Sequence, residues 1–447
     1  MNSRRDFLYG ITGFAAGAFG LPGLAFGQDK EAPQIRPKVA VVMTVFTYRS
    51  HAHVILENFL CDYLFNGKRT EAGCEVASFY VDQFPGGEMA RAVAKQFDIP
   101  IYDTIDGALC LGGDKLAVDG VVSIGEHGKY PTNAKAQIEY PRKRFFDEIV
   151  AVFKKSGRVA PLFNDKHLSY RWDWAKEMYD TCREMEIPFM AGSSVPLAQR
   201  RPPLEITKGA ELEQVVSIHG GGVESYDFHC LEVLQSMVES RAGGETGISE
   251  VQFLERDELW AAAEKGLWSP GLANAAMAAE VGDVKPAFRE TVEKQFGNRM
   301  HGILIKYKDG LRAAALSVGG SGTRWNFACR MNGGQLRATH FYVGPWQNRN
   351  LFRALSHAIQ AHIKTGMPPY SVERTLLVTG ALDAAMDSRI RDGAVQKTPQ
   401  LEFVYDAIDF EAMREMGASW KIITDDIEQP KGIVPVGLET AARPKTR

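Results

Sequence analysis

Between Lys38 and His53 the chain reads KVAVVMTVFTYRSHAH, and this stretch constrains the fold more than any other. Val39-Ala40-Val41-Val42 is a short apolar run, rich in β-branched residues, after a polar, proline-containing lead. Such a run reads as a strand buried on both faces, as a parallel sheet requires. Ala52, Val54, Ile55, Leu56, Phe59 and Leu60 then recur at helical spacing, which predicts a strand–turn–helix unit. In dinucleotide-binding domains that turn carries glycines, so that the backbone can close on a pyrophosphate at the helix N-terminus. No glycine occurs here between Lys38 and Gly67. The segment predicts the architecture of a nucleotide-binding domain without its phosphate-contacting turn.

The following units repeat the pattern. Residues 75–81, 99–102, 116–124, 159–163 and 188–191 read as strands, and 88–97, 106–111, 145–155 and 172–185 as helices. The alternation predicts a doubly wound parallel sheet, a Rossmann-like domain over residues 36–192. Ligands gather at the carboxyl ends of the strands in such sheets, which selects Asp82, Glu126, His127, Asp165, Lys166 and His167. Ser193, Ser194, Pro196 and the run Arg200-Arg201-Pro202-Pro203 mark a crossing into a second domain, residues 193–440. There, a triple glycine at 220–222 leads into an amphipathic helix over 225–238. Strands over 302–308 and 312–318 flank the hairpin turn Asp309-Gly310, and further strands lie at 327–331 and 336–343. Helices over 351–365 and 372–390 follow. These elements predict an α+β domain with an open, mostly antiparallel sheet and helices on one face.

The 447 residues suffice for two or three domains. A net charge of −3, from 52 basic and 55 acidic residues, excludes a sequence-independent nucleic-acid binder, which needs a basic excess. Ser3-Arg4-Arg5-Asp6-Phe7-Leu8 resembles a twin-arginine export signal, and a Gly/Ala-rich stretch runs from there to Ala25-Phe26-Gly27, which fits the small-x-small cleavage rule. Residues 1–27 are therefore expected to be a cleaved leader, leaving a periplasmic or otherwise exported protein with no membrane span. The resemblance to that signal implies export in the folded state, often around a cofactor. Cys61, Cys74, Cys110, Cys182, Cys230 and Cys329 show no CxxC spacing and are expected to be buried thiols.

With these elements placed, the pattern resembles the glucose–fructose oxidoreductase/inositol dehydrogenase (Gfo/Idh/MocA) family over most of the mature chain. His51 stands where the family has a histidine near the first helix start, and Asp82 where it has the acidic residue that holds the adenosine ribose. Asp165-Lys166-His167 stands at the family's Glu-Lys-Pro, whose lysine is catalytic. GGGVESYDFHCLE, residues 220–232, resembles the glycine-rich lead into a helix bearing an aspartate and then a catalytic histidine, here His229. The stretch from Pro368 to Ser388 resembles the family's closing helices. The resemblance implies a sugar- or polyol-acting oxidoreductase with tightly bound NAD or NADP, and a homo-oligomer formed through the exposed face of the second sheet. It implies catalytic roles for Lys166 and His229, with Asp227 beside them, and cofactor contacts from Asp82, Glu126, His127 and Asp165.

The departures are specific. Met43, Val45 and Tyr48 occupy the three glycine-fingerprint positions, adding bulk where backbone should approach a diphosphate. Ser225 stands four residues before His229 where the family has Asp, with Glu224 or Asp227 as substitutes. Tyr48, Arg49 and His53 put large polar side chains in the space a cofactor would take, or against a sugar. Taken alone, Lys166 reads as a general acid/base or as a surface lysine, and His229 as an acid/base or as a satisfied helix histidine. Glu126, His127, His167, His219 and His229 are residue types that suit zinc, manganese or iron, but no tight motif such as HExxH is present and no metal ligand is assigned. Trp325, Phe327, Phe341, Tyr342 and Trp346 read as sheet core rather than as a sugar-stacking face. Besides the oxidoreductase, the residues leave open a non-redox lyase, isomerase or hydrolase on the same scaffold, metal-assisted or not, and a catalytically silent binding protein.

Overall fold

A computed structural model describes residues 36–283, 288–296 and 299–433; the leader expected at 1–27 lies outside the described residues. The first half runs β1 (Lys38–Met43), α1 (His51–Leu60), β2 (Tyr63–Phe65), β3 (Lys68–Thr70), β4 (Glu75–Val81), α2 (Ala90–Phe97), β5 (Ile101–Tyr102), α3 (Ile105–Cys110), β6 (Gly120–Ile124), α4 (Arg142–Ser156), β7 (Leu162–Asp165), α5 (Trp172–Glu184) and β8 (Phe189–Gly192). The second half runs β9 (Gln199–Arg201), β10 (Leu212–Gly220), α6 (Ser225–Val238), β11 (Ile248–Glu255), α7 (Arg256–Glu264), α8 (Pro270–Val281), α9 (Phe288–Phe296), β12 (His301–Tyr307), β13 (Arg312–Ser317), β14 (Ser321–Met331), β15 (Leu336–Tyr342), α10 (Asn348–Thr365), α11 (Val372–Arg389) and β16 (Gln396–Lys397).

The first sheet is parallel, in the order β5-β4-β1-β6-β7-β8. β1 is central because its apolar run is buried on both faces: Val39, Val41 and Met43 join one core, Ala40 and Val42 the other. Consecutive residues of a strand point to opposite faces, so a sheet covered on both sides needs such an unbroken run. The direction of strand addition reverses between β1 and β6, and at that switch point a doubly wound sheet opens its binding crevice.

The second sheet has eight strands in the order β16-β11-β12-β13-β10-β14-β15-β9, antiparallel throughout except for the pair β10–β13. One of its faces shares a core with α6 and α11, through Val215, Ile303, Ala315, Phe327 and Leu377. The other carries Val216, Leu304, Leu316 and Ala328 against Trp260, Trp268, Leu272, Ala276 and Phe288 of α7–α9. Helices therefore cover both faces, not one as the sequence suggests. The open sheet face through which a dimer is expected is occupied by this chain's own α7–α9. The six cysteines are all free and buried.

α10 returns to the first sheet's side and packs on α1. Arg349, fully buried, pairs with Glu57 at 2.7 Å, and Asn58 donates to Ser356 Oγ at 3.2 Å. This contact brings the N-terminus of α10 over the carboxyl ends of the first sheet's strands. No helix of the described residues is long and apolar enough to cross a membrane.

Candidate active site

A cavity of about 390 Å³ opens where the two sheets meet. The first sheet with its helices contributes Arg49 and His51 at the start of α1, Glu126 and His127 after β6, and Lys166 after β7. The second contributes Ser225, Tyr226 and His229 from the first turns of α6, Ser321, Thr323 and Trp325 from β14, and Gln347, Asn348 and Phe352 at the start of α10. Gly220 and Gly221 set that wall. A Cβ on Gly220 would stand 2.1 Å from the Ser321 carbonyl, and one on Gly221 would stand 2.1 Å from the Tyr226 ring, so only glycine lets these segments meet.

Backbone strain is concentrated here. Arg49, His127, Lys166 and Gln347, all on the cavity, and Glu224, beside Ser225, hold left-handed φ angles of 54–67°. Such conformations cost a non-glycine residue of order 1–3 kcal/mol each and persist where the surrounding structure imposes them. At Lys166 the main-chain N–H donates to the Gly192 carbonyl at 3.2 Å, and the turn sends the side chain inward, 3% exposed overall. Its Nζ donates to Ser225 Oγ at 3.0 Å and to the Ser225 carbonyl at 3.3 Å, and lies 3.4 Å from Glu126 Oε1. Ser225 carries no charge where an aspartate is expected, and the carboxylate facing Lys166 comes from the β6 loop instead. Burial alone would raise the Glu126 carboxyl, but Lys166 and then Arg142 outweigh it and hold Glu126 well below the usual carboxylate range. Arg142, with no exposed surface, ion-pairs with Glu126 and reaches His167 Nε2 at 3.2 Å.

Two oriented imidazoles face the same space. His51 Nδ1 is 2.5 Å from Asp165 Oδ2, and His229 Nδ1 is 2.6 Å from Ser193 Oγ. Each ring is thereby held through Nδ1, leaving Nε2 for a ligand. The ring centres lie 6.5 Å apart, with His127 5.1 Å from His51. Burial, reinforced by Lys166 and His51, keeps His229 neutral, its pKa well below 6.5. Burial and the neighbouring His51 likewise lower His127 to about 4.

The structure thus brings Lys166, His229, Glu126 and His127 to one cavity, with Asp165 directly behind His51. Two sequence candidates lie elsewhere. Asp227 is two residues from His229, about 200° around the helix, so it points to the opposite side. Its Oδ1 accepts from His219 and His301 at 2.9 and 2.8 Å, and its Oδ2 accepts the Glu224 N–H at 2.7 Å. Asp82 does directly follow β4, but Oδ1 is taken by Tyr80 at 2.7 Å and by Arg144, and Oδ2 by Tyr130 at 2.7 Å. The histidines that composition grouped as a metal set also separate: His219 faces Asp227, while His167 faces Arg142 and Glu224. Of the aromatic tract, Phe327, Phe341 and Trp346 are core, while Trp325 walls the cavity. Arg142, Ser193 and the start of α10 carry no sequence signal, because their roles arise only from tertiary approach.

The residues present do not fit a dinucleotide along the crevice. The loops after β1 and β4 are joined through Gln83 N–H to the Thr44 carbonyl at 2.8 Å, Met89 N–H to the Phe46 carbonyl at 2.6 Å, and a bridge between Thr47 and Glu88. Gln83 also exchanges side-chain hydrogen bonds with the Lys129 main chain at 2.9 and 3.0 Å. These contacts tie the loops after β1, β4 and β6 together, and the Asp82 carboxylate that would hold a ribose already accepts from Tyr80, Tyr130 and Arg144. At the first turn of α1, Ser50 Oγ accepts the His53 N–H, and Arg49 is held by Asn348, Gln347 and the Trp346 carbonyl.

No family model matches the chain, and no curated protein matches it in sequence. Solved structures match it in shape. GenD2 from gentamicin A biosynthesis, solved in complex with NAD, superposes with a TM-score of 0.53 at 13% identity, over 81% of this chain and 96% of that one. A myo-inositol dehydrogenase from Corynebacterium glutamicum gives 0.51 at 11% identity, and a myo-inositol 2-dehydrogenase from Lactobacillus plantarum 0.50 at 8%; each match covers 81% of this chain and 99% of the other. The chain therefore shares the fold of these oxidoreductases: a Rossmann-like parallel sheet followed by a mixed, mostly antiparallel one.

Proposed function

We propose that this protein is an exported acid–base enzyme that moves a proton at a carbon next to a carbonyl group in a sugar-like substrate, as a lyase or isomerase, without a dinucleotide in the crevice. The observation that carries the reading is the set around Lys166: one buried ammonium group, with the oriented His51–Asp165 and His229–Ser193 pairs on the same cavity. His229, neutral and free at Nε2, takes the proton from carbon. Lys166 donates a hydrogen bond to the oxygen on which negative charge develops, a contact that strengthens in the transition state. His51, positioned by Asp165, returns a proton to the other face of the carbon or to a departing hydroxyl. The sugar-like class follows from Trp325 and Tyr226, which offer aromatic faces beside the hydroxyls of Ser321 and Thr323 and the amides of Gln347 and Asn348. Export rests on Arg4-Arg5 and the leader-like stretch after them.

The test is isotope exchange. Keto-sugars and sugar acids are incubated with the protein in D₂O with no nucleotide added, and deuterium at carbon is followed by NMR. Incorporation by the wild type that Lys166→Met abolishes supports the reading; turnover only with added NAD or NADP ends it. That second outcome is the oxidoreductase reading, a hydride transfer on a sugar or polyol with tightly bound NAD(P), whose support is the fold shared with an NAD complex.

A further inference from the structure

We propose that His219, Asp227 and His301 bind a divalent transition-metal ion behind the wall of the active-site cavity. The three residues come from separate elements: the end of β10, the first turn of α6 and the start of β12. Their ligating atoms lie within 4.8 Å of one another. Both imidazoles present Nε2 to one carboxylate oxygen, at 2.9 and 2.8 Å. His219 and Asp227 have no exposed surface, and His301 is 5% exposed.

The placement is that of a ligand set. Both imidazoles turn Nε2 to the single oxygen Oδ1 of a carboxylate with no exposed surface. Two imidazole nitrogens and a carboxylate oxygen, buried together, are donor types that a divalent transition metal takes. Metal binding uses neutral imidazole and ionised carboxylate, so an ion entering here releases any proton shared between Nε2 and Oδ1.

The geometry needs little adjustment. Zinc bonds to nitrogen and oxygen ligands are about 2.0–2.2 Å, so tetrahedral ligand atoms stand roughly 3.4 Å apart, about half an ångström wider than the two nitrogen–oxygen distances here. The rings are braced for the purpose. His219 lies parallel beside the stacked pair Trp325–Tyr226, with centroids at 6.2 and 6.3 Å, and His301 stacks on Phe253 at 5.0 Å. Among the described residues no other histidine, cysteine or carboxylate joins the set, so further positions are left for water or a small ligand. Beside His301 is a cavity of about 380 Å³ whose wall includes Gly221, Gly222, Ser317, Gly319 and Gly320 together with Val223, Val318 and Arg299. Two nitrogens and one oxygen suit zinc, manganese or iron(II). The ion would also anchor the first turn of α6, which carries Ser225, Tyr226 and His229 into the catalytic cavity.

The test does not depend on the reaction. Protein purified without chelators is analysed for metals, stripped with EDTA, and titrated with Zn²⁺ by calorimetry and with Co²⁺ by visible absorption. About one equivalent per chain is expected, with a rise in thermal midpoint and the d–d bands of a nitrogen–oxygen ligand set. His301→Ala should weaken Zn²⁺ binding by more than the roughly 10–100-fold typical of losing a supporting residue, while Lys166→Met leaves it intact. Should His301→Ala fail to fold, the Co²⁺ spectrum and stoichiometry of the wild type decide. A folded wild type that takes up no Zn²⁺, Mn²⁺ or Fe²⁺, and whose midpoint EDTA does not change, overturns the site and leaves a hydrogen-bonded His–Asp–His triad.

Discussion

Replacing Arg142 by methionine isolates the electrostatics of the cavity. The guanidinium is fully buried and pairs with Glu126, itself 5% exposed, and with His167 Nε2 at 3.2 Å. Methionine keeps much of the length and removes the charge, leaving Glu126 with Lys166 at 3.4 Å as its remaining cation. Breaking a buried ion pair from one side costs about 3–5 kcal/mol, because the surviving charge stays desolvated. The assay is the shift in urea midpoint at pH 7 with unchanged slope. Adding Glu126→Gln removes the orphaned charge, so the double variant should recover part of the loss, with a coupling of about 0.5–3 kcal/mol. The pH dependence gives an independent sign. Glu126 titrates below its unfolded value of 4.5, so its stabilisation is full above that pH and is lost as the pH falls through the lower folded value. In Arg142→Met that acid loss should shrink. A cost under about 1 kcal/mol with an unchanged acid slope would mean that Arg142 does not hold Glu126 ionised, and the reasoning about the cavity would fail.

Further outcomes follow from the same contacts. Lys166→Met and His229→Gln should each lower turnover by about 10²–10⁴-fold, as steady-state rates on protein checked for folding by circular dichroism would show; retained turnover removes them from the chemistry. Tyr130→Phe deletes one of the hydrogen bonds that occupy Asp82 and should cost about 1.5–3 kcal/mol in denaturant titration, without creating NAD binding. Glu232 is fully buried, and burial, opposed by Arg374, raises its carboxyl to about 7, so the folded state loses stability as pH rises from 4.5 through that value. Glu232→Gln should therefore gain on the wild type between pH 5 and 8, by up to about 3 kcal/mol; a pH-independent difference would contradict the shift.

The parallel sheet was legible because a strand buried on both faces leaves a continuous apolar run, as in Val39–Val42, and its helices keep their own period. Strand ends were less so. The strand expected at 159–163 is Leu162–Asp165, because polar Asn164 and Asp165 break the apolar pattern while staying in the ladder beside Ala191 and Gly192. The one expected at 116–124 starts only at Gly120. The sequence pattern does not single out β11 or the helices α7–α9, nor therefore the covering of the sheet's second face. At the site, Lys166, Glu126 and His127 could be read from their places after strands. Asp227 could not be assigned correctly, since proximity in sequence to His229 hides opposite directions on the helix. The switch of Lys166's carboxylate from α6 to Glu126 is a tertiary event with no local signature.

The account depends on a crevice closed to dinucleotides by the chain's own loops. Native mass spectrometry of the purified protein tests this most directly. The mass of the bare chain, with at most a metal ion added and unchanged by NAD or NADP in excess, is the expected result. A mass increment equal to one bound nicotinamide dinucleotide would contradict it.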